Sequence, residues 1–247
     1  MDTGRGRAKG VVKGAGNKGG GQRMFYASVG ALLVAGIATL SFMSTRSGAS
    51  QIDSTIKPIP NTGHSIGSDS ALVEVVEFGD FECPACGSFA NLTEPDIRAR
   101  LVATGQIRFR FVDFPLNIHR NTWPAHLASW CAGEQGRFWE MHDALFMNQD
   151  RWSEPATRRP ERVISELARG VGVGMEQYDA CMDTQKYRPQ IQANVEEGIR
   201  LGVGSTPTFI FGQTRVGAVL NYDQFKRYAD SLIADAKAKR GTKTRTR

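Results

Sequence analysis

The stretch Phe78–Ala90, FGDFECPACGSFA, limits the fold of this 247-residue chain more than any other. Cys83 and Cys86 stand three positions apart, after the β-branched apolar run ALVEVVEF (71–78) and before a segment with helical character. The run reads as a buried strand. Pro84 suits the first turn of a helix, where its missing N–H costs nothing. The pair is thus expected at a strand-to-helix junction, and the rest of the chain has to fold around that junction.

The helix is expected to run to about Ala103, with a break or kink near Pro95, and to end before Gly105. IRFRFVDF (107–114) alternates and reads as a second strand. Residues of about 121–200 show helical periodicity and almost no strand signal, with Gly202 and Gly204 closing the block. TPTFIFG (206–212) and TRVGAVL (214–220) resemble a hairpin. NYDQFKRYADSLIADAKA closes the domain as an amphipathic helix, with Asn221 as its N-cap. A β-α-β unit and a β-β-α unit separated by helices imply an α/β fold with an inserted all-helical subdomain at about 121–200. The folded domain is expected over 71–236.

The ends are different in kind. Residues 1–46 hold seven basic side chains against one acid, and Lys237–Arg247 hold six against none. Residues 47–236 are net acidic, so the positive charge belongs to the ends and a basic nucleic-acid-binding face on the domain is not supported. Residues 24–43 run 20 positions without a charge, long enough to span roughly 30 Å of hydrocarbon as a helix. The basic excess before this run places the N-terminus in the cytoplasm and the domain outside the cell membrane. A cleaved signal peptide is the alternative, although its apolar region would be shorter and Ser47-Gly48-Ala49 is only a fair cleavage site. Residues 1–23, with eight glycines, are expected to be a disordered cytoplasmic tail, 44–70 a flexible linker and 237–247 a disordered basic tail.

Four cysteines are present: Cys83, Cys86, Cys131 and Cys181. A structural zinc site needs four convergent ligands, usually from two close pairs, and the second pair is too widely split; no metal or cofactor is expected. As a staple, a Cys83–Cys86 bridge would close almost no chain entropy. At a strand-to-helix junction near a β-α-β pattern the pair instead reads as a redox pair. The free N–H groups and partial positive charge of a helix N-terminus favour the thiolate of Cys83, while Cys86 lies one turn further in. Cys131 and Cys181 are expected to form a structural disulfide, because the chain is exported and the first pair is accounted for. Two separate buried thiols are the alternative.

FECPACG at a strand–helix junction, followed by GSTPTFIFG, resembles the thioredoxin fold, and specifically the DsbA-type exported disulfide oxidoreductases, over about residues 70–235. The Thr206-Pro207 step resembles the cis-proline loop that faces the C-x-x-C in that fold and receives the substrate. The helical block resembles the DsbA insertion. Glu77, six positions before Cys83, resembles that family's active-site glutamate. The chain departs in its Pro84-Ala85 dipeptide, which lacks the histidine of the best-known oxidase. The resemblance implies a protein dithiol oxidase acting on exported proteins. It also implies reoxidation by a quinone-linked membrane protein of the DsbB or vitamin-K-epoxide-reductase-like type. A reductase or isomerase of the same fold, or a non-redox chaperone or scaffold, are the alternatives.

For the remaining side chains the residues leave more open. Glu77 at the strand end is either exposed or a partly buried carboxylate that exchanges a proton with Cys86. Glu74, Asp80 and Glu82 are expected to be solvated, and His119, His126 and His142 to be surface or core residues. Trp130, Phe138, Trp139, Met141, Leu145 and Phe146 are expected to form the core of the insertion. Arg158, Arg159 and Arg162 are expected on a solvated face.

Overall fold

The computed structural model describes residues 49–52 and 62–245. The expected cytoplasmic tail and the apolar segment 24–43 lie outside the described residues. In chain order the elements are β1 (Ala49–Gln51), β2 (His64–Ile66), β3 (Glu74–Gly79), α1 (Pro84–Leu92), α2 (Glu94–Ile97), a π-helical turn (Arg98–Val102), β4 (Arg108–Asp113), α3 (Thr122–Gly133), α4 (Phe138–Met147), α5 (Gln149–Trp152), α6 (Glu161–Gly170), α7 (Met175–Asp183), α8 (Arg188–Arg200), β5 (Thr208–Phe211), β6 (Thr214–Val216) and α9 (Tyr222–Arg245).

β3 and β4 pair in parallel, with Val75 opposite Phe109 and Glu77 opposite Phe111. A parallel pair needs a crossover, and α1, α2 and the π turn supply it. The helix breaks at Thr93, and Pro95 falls in the first turn of α2, where it is tolerated. β5 runs antiparallel on the other side of β3, and β6 follows through a tight turn at Gly212 with φ 63°. The strands of this hairpin are shorter than the expected 206–220.

The sheet order is β1-β6-β5-β3-β4-β2. β1 and β2 correct the expected flexible linker over 44–70, within its described residues. Three residues each are too short to show a period, yet each fills an open sheet edge whose backbone groups want partners. β2 is further held because the His64 ring stacks on Phe138 at 3.6 Å between centroids and Ser65 O accepts Trp139 Nε1–H at 3.2 Å. The expected disordered tail 237–247 is corrected as well, since α9 continues to Arg245. Once capped, the Ala, Lys and Arg residues over 236–240 propagate the helix readily, and it continues against the lower propensity of Gly241 and Thr242. The cap is reciprocal: Asn221 Oδ1 accepts Gln224 N–H at 2.9 Å, and Gln224 Oε1 accepts Asn221 N–H at 3.0 Å.

One sheet face carries Val75, Phe109, Phe209 and Phe211 and is covered by Phe89, Ile97, Leu101 and Phe225 from α1, α2, the π turn and α9. The other carries Val76, Phe78, Val112 and Ile210 against Leu201 and Val203 beyond α8. Gly198 of α8 is required there, because a Cβ would stand 2.5 Å from the Phe114 ring. The block α3–α7 has its own core of Met141, Leu145, Trp152, Ile164 and Tyr178, continuous with Phe81 and Cys86. Phe138 and Phe146 are buried in it as expected, while Trp130 and Trp139 are only half-buried at its margin. Cys131 of α3 and Cys181 of α7 are joined, with S–S 2.02 Å.

Candidate active site

Cys83 is the N-cap residue of α1, in extended conformation, with Pro84 in the first turn behind it. It is 6% exposed, Cys86 is fully buried one turn further on, and both are free thiols. The Cys83 thiol is lowered to about 6. A hydrogen bond from Cys86 is the main cause; burial opposes it, and Thr206 and the backbone N–H groups of Ala85 and Cys86 add to it. Cys86 is pushed well up, first by burial, then by its hydrogen bond to Cys83 and by the negative charge of the Cys83 thiolate. At neutral pH the arrangement is therefore a Cys83 thiolate held by a Cys86 thiol.

The Thr206–Pro207 peptide bond is cis. It brings Thr206 O to 3.4 Å from Cys83 Sγ, where the thiol donates. The Thr206 hydroxyl is buried without another partner, so it can turn to donate when the sulfur is ionised. Below the pair sits Glu77, flanked across the strands by Phe111 and Phe209 and 1% exposed. Of the two settings open to Glu77, the structure shows the buried one. Burial, and then the nearby Glu94, raise its carboxyl well above the carboxylate range, against the pull of Arg98. The neutral form of Glu77 is thus favoured, within electrostatic reach of Cys86. Cys83, Cys86, Glu77, Thr206 and Pro207 come together; Cys131 and Cys181 belong to the helical block.

Asp80 and Glu82 correct the expectation of solvated acids, being 0% and 5% exposed. Asp80 accepts from Glu82 N–H (2.8 Å), Leu116 N–H (2.8 Å), His119 Nδ1 (2.7 Å) and the Thr122 hydroxyl. Its burial is more than offset by these donors and by His126, and its carboxyl is held far below the usual range. Glu82 accepts Asn121 N–H at 2.6 Å and Glu154 N–H at 2.5 Å. The two carboxylates therefore tie the turn before Cys83 to the loop ahead of α3 and to the loop after α5. Glu74 is half-buried and pairs with Arg110 at 2.9 Å. Arg158, Arg159 and Arg162 are exposed as expected.

Sequence reasoning missed Gln149. Its Nε2 donates to Phe81 O at 2.6 Å and Cys83 O at 3.0 Å, clamping the turn from the far side. No local signal marks a lone polar residue at a helix start as such a clamp. His119, half-buried, is bonded to Asp80, which raises its pKa, and the Cys83 charge adds to this. A larger hollow of about 720 Å³, lined by Glu74, Arg110 and Tyr228 among others, contains neither thiol.

The family model described as thioredoxin matches residues 60–231. The chain is 31% identical over 193 residues to the Na(+)/H(+) antiporter NhaA 3 of Salinispora tropica, covering 77% of this chain but only 28% of that relative. It is 25% identical over 171 residues to disulfide bond formation protein D of Bacillus subtilis, covering 65% of this chain and 72% of that one. The crystal structure of oxidised BdbD from B. subtilis superposes with TM-score 0.61 at 23% identity, covering 75% of this chain and 97% of the other. Wolbachia pipientis alpha-DsbA1 superposes with TM-score 0.64 at 20% identity, covering 75% and 97%. With Cys83 at the helix N-cap, a cis-proline opposite it and helices inserted between the two halves of the sheet, the chain belongs to the thioredoxin family and has the DsbA-like form of its fold.

Proposed function

We propose that this protein is a protein thiol-disulfide oxidoreductase that donates the Cys83–Cys86 disulfide to exported proteins. The observation that carries the reading is Cys83 at the N-cap of α1, 3.4 Å from Thr206 O, with Cys86 buried behind it. A thiolate with a pKa of about 6 is a good leaving group, and its stability favours the reduced enzyme, which makes the disulfide oxidising. A client thiolate attacks Cys83 Sγ. The Cys83–Cys86 bond breaks, and Cys86 leaves and takes a proton from Glu77. A second client thiolate attacks the client sulfur of the mixed disulfide and releases Cys83 as thiolate. The client loses two electrons and the enzyme gains them. The backbone at Thr206–Pro207 is suited to hold the client extended, as an added strand.

The similarity to disulfide bond formation protein D supports this activity, and a membrane reoxidase of the DsbB or vitamin-K-epoxide-reductase-like type would return the electrons to quinone. The charge-free length of residues 24–43 supports an anchor that holds the domain outside the cytoplasm. Among the described residues no helix is long and apolar enough to cross a membrane.

The reading is tested by trapping. Cys86→Ser should accumulate mixed disulfides with reduced client through Cys83, whereas Cys83→Ser should form none and lose dithiol oxidation. Adducts through Cys86 in the Cys83→Ser protein would reverse the assignment. A reduction potential of about −120 mV marks an oxidase and one of about −270 mV a reductase.

A further inference from the structure

His142 is buried where packing alone does not require a histidine. Its ring on α4 is enclosed by Phe81, Phe111, Phe138, Trp139 and Phe146, with centroids at 5.7, 5.1, 6.1, 5.0 and 4.9 Å. These walls leave the two ring nitrogens as its polar openings, and the nitrogens face opposite ways. Nδ1 lies 2.9 Å from Asp143 Oδ1 and 3.2 Å from Arg98 Nη2. Nε2 has no partner among the described residues and faces Glu94 Oε2 at 3.8 Å. That oxygen is also buried and unpartnered, while Glu94 Oε1 is held by Arg98 Nε at 2.7 Å. Glu77 Oε2 is the third unpartnered buried atom of the group. Three such groups, each 1% exposed, with Glu77 in electrostatic reach of both Glu94 and Cys86, are costly unless they exchange protons or hydrogen bonds with one another.

The outer end of the cluster reaches solvent. Asp143 has a side chain 42% exposed and, with Arg98, Asn91, Phe146 and Met147, lines a cavity of about 430 Å³ beside α1 and α4. Arg98 grips Asp143 through both guanidinium nitrogens at 2.9 Å and lies over the Trp139 ring at 4.5 Å, so the acid at the opening is fixed in place.

We propose that Asp143, His142 and Glu94 carry a proton between this cavity and Glu77, and so to and from Cys86. The proposal rests on the oxidoreductase reading of Cys83 and Cys86. When the disulfide opens, Cys86 takes the proton of Glu77 and leaves a buried carboxylate. The path then runs inward: one proton enters at Asp143, the ring gains it at Nδ1 and gives one up at Nε2 to Glu94, and Glu94 passes one to Glu77. Rotation of the Glu94 carboxyl closes the 3.8 Å step. On reoxidation Cys86 gives its proton back to Glu77, and the path runs outward by the reverse transfers. One proton moves per disulfide opened or closed, and the electrons stay on the sulfur atoms. Asp143, His142 and Glu94 touch neither client nor reacting sulfur; they act through Glu77.

The test uses the full chain, oxidised, in single-turnover reduction by dithiothreitol, with acid quench and alkylation of the freed thiols. His142→Gln and Glu94→Gln should slow the appearance of the Cys86 thiol about 100-fold or more, the lower end of what one positioned proton-transfer group contributes. Asp143→Asn, at the exposed end, should slow it about threefold and still fold if the buried variants do not. The slowed rates should gain a solvent deuterium isotope effect, and imidazole should restore the rate of His142→Ala. A purely structural role would lower the melting temperature and move neither the isotope effect nor the rescue. A wild-type chain whose Cys83–Cys86 disulfide does not exchange with thiols overturns the oxidoreductase reading itself. Normal exchange in the wild type, with Asp143→Asn within about twofold of it and no rescue of His142→Ala, overturns the proton path alone.

Discussion

Asp113→Ala should destabilise the domain by about 3–5 kcal/mol, the cost of removing one partner from a buried ion pair. For a domain of this size that lowers the melting temperature by about 10 °C. Asp113 is 1% exposed at the end of β4. It accepts from His126 Nδ1 at 2.6 Å, Trp130 Nε1 at 2.7 Å and Asn194 Nδ2 at 2.8 Å. One carboxylate thus joins the sheet to α3 and α8. Burial alone would lower the pKa of His126, but Asp113 and Asp80 more than reverse this and lift it to about 9. The Phe81 N–H points at His126 Nε2 from 3.5 Å, a weak contact that the charged ring gives up in favour of Asp80 Oδ1 at 3.8 Å. Burial would raise the Asp113 carboxyl, and the donors from His126 and Trp130 bring it below its ordinary value.

The pH dependence follows from these directions. The His126 contribution is complete below the unfolded value of 6.5 and is lost as pH rises through about 9. The Asp113 contribution is complete above its unfolded value of 3.8 and is lost as pH falls below it. The gap in stability between wild type and Asp113→Ala should therefore be widest between about pH 4 and pH 6.5 and shrink on either side. Denaturant unfolding across pH 3–10 reads this directly. A double variant, Asp113→Leu with His126→Leu, removes both charges and should recover much of the loss. A gap that is flat with pH, or a double variant worse than the single by the full cost of His126, would show that packing and not the ion pair is at stake.

What could be read in the sequence divides along the range of the interactions. The strand before Cys83, the helix after it and the Asn221 cap are local, and so is the effect of a helix N-terminus on a thiol. The helical block was legible in place and extent because helical periodicity is local too. The burial of Asp80 and Glu82 was not, because their partners, Leu116, Thr122, Asn121 and Glu154, lie 36 to 72 positions away. A carboxylate that accepts backbone N–H groups from a distant loop looks, in sequence, like any acid beside a turn. β1 and β2 escaped for a different reason: three residues carry no period, and only an open sheet edge makes them strands. His142 was hidden by its neighbours, since FWEMHDALF reads as a core helix and gives no hint that the ring's two nitrogens face buried Glu94 on one side and half-exposed Asp143 on the other.

Removing the Cys131–Cys181 bridge is the other change with a large expected effect. It joins α3 to α7 across 50 positions, with Cys131 fully buried and Cys181 4% exposed. Closing a loop of that length in the unfolded chain is worth up to about 4 kcal/mol on the chain-entropy model, and loss of a native bridge costs about 2–5 kcal/mol in practice. Cys131→Ala with Cys181→Ala should therefore lower the melting temperature by roughly 5–15 °C. The helices would still pack through Leu145, Ile164 and Tyr178, and neither cysteine is hydrogen-bonded to Cys83 or Cys86, so dithiol oxidation should survive below the new melting point. The two pairs should also part under mild reduction. Cys83 is 6% exposed and its thiolate leaves readily, so the first two thiols to be alkylated should map to Cys83 and Cys86. Cys131 and Cys181 should resist until the domain unfolds, because an attacking thiolate has no path to a bond closed inside the helical core. Four reactive thiols in the native, air-oxidised chain would refute the bridge. A double variant as stable as the parent would leave the bridge in place but deny it any part in holding α3 against α7.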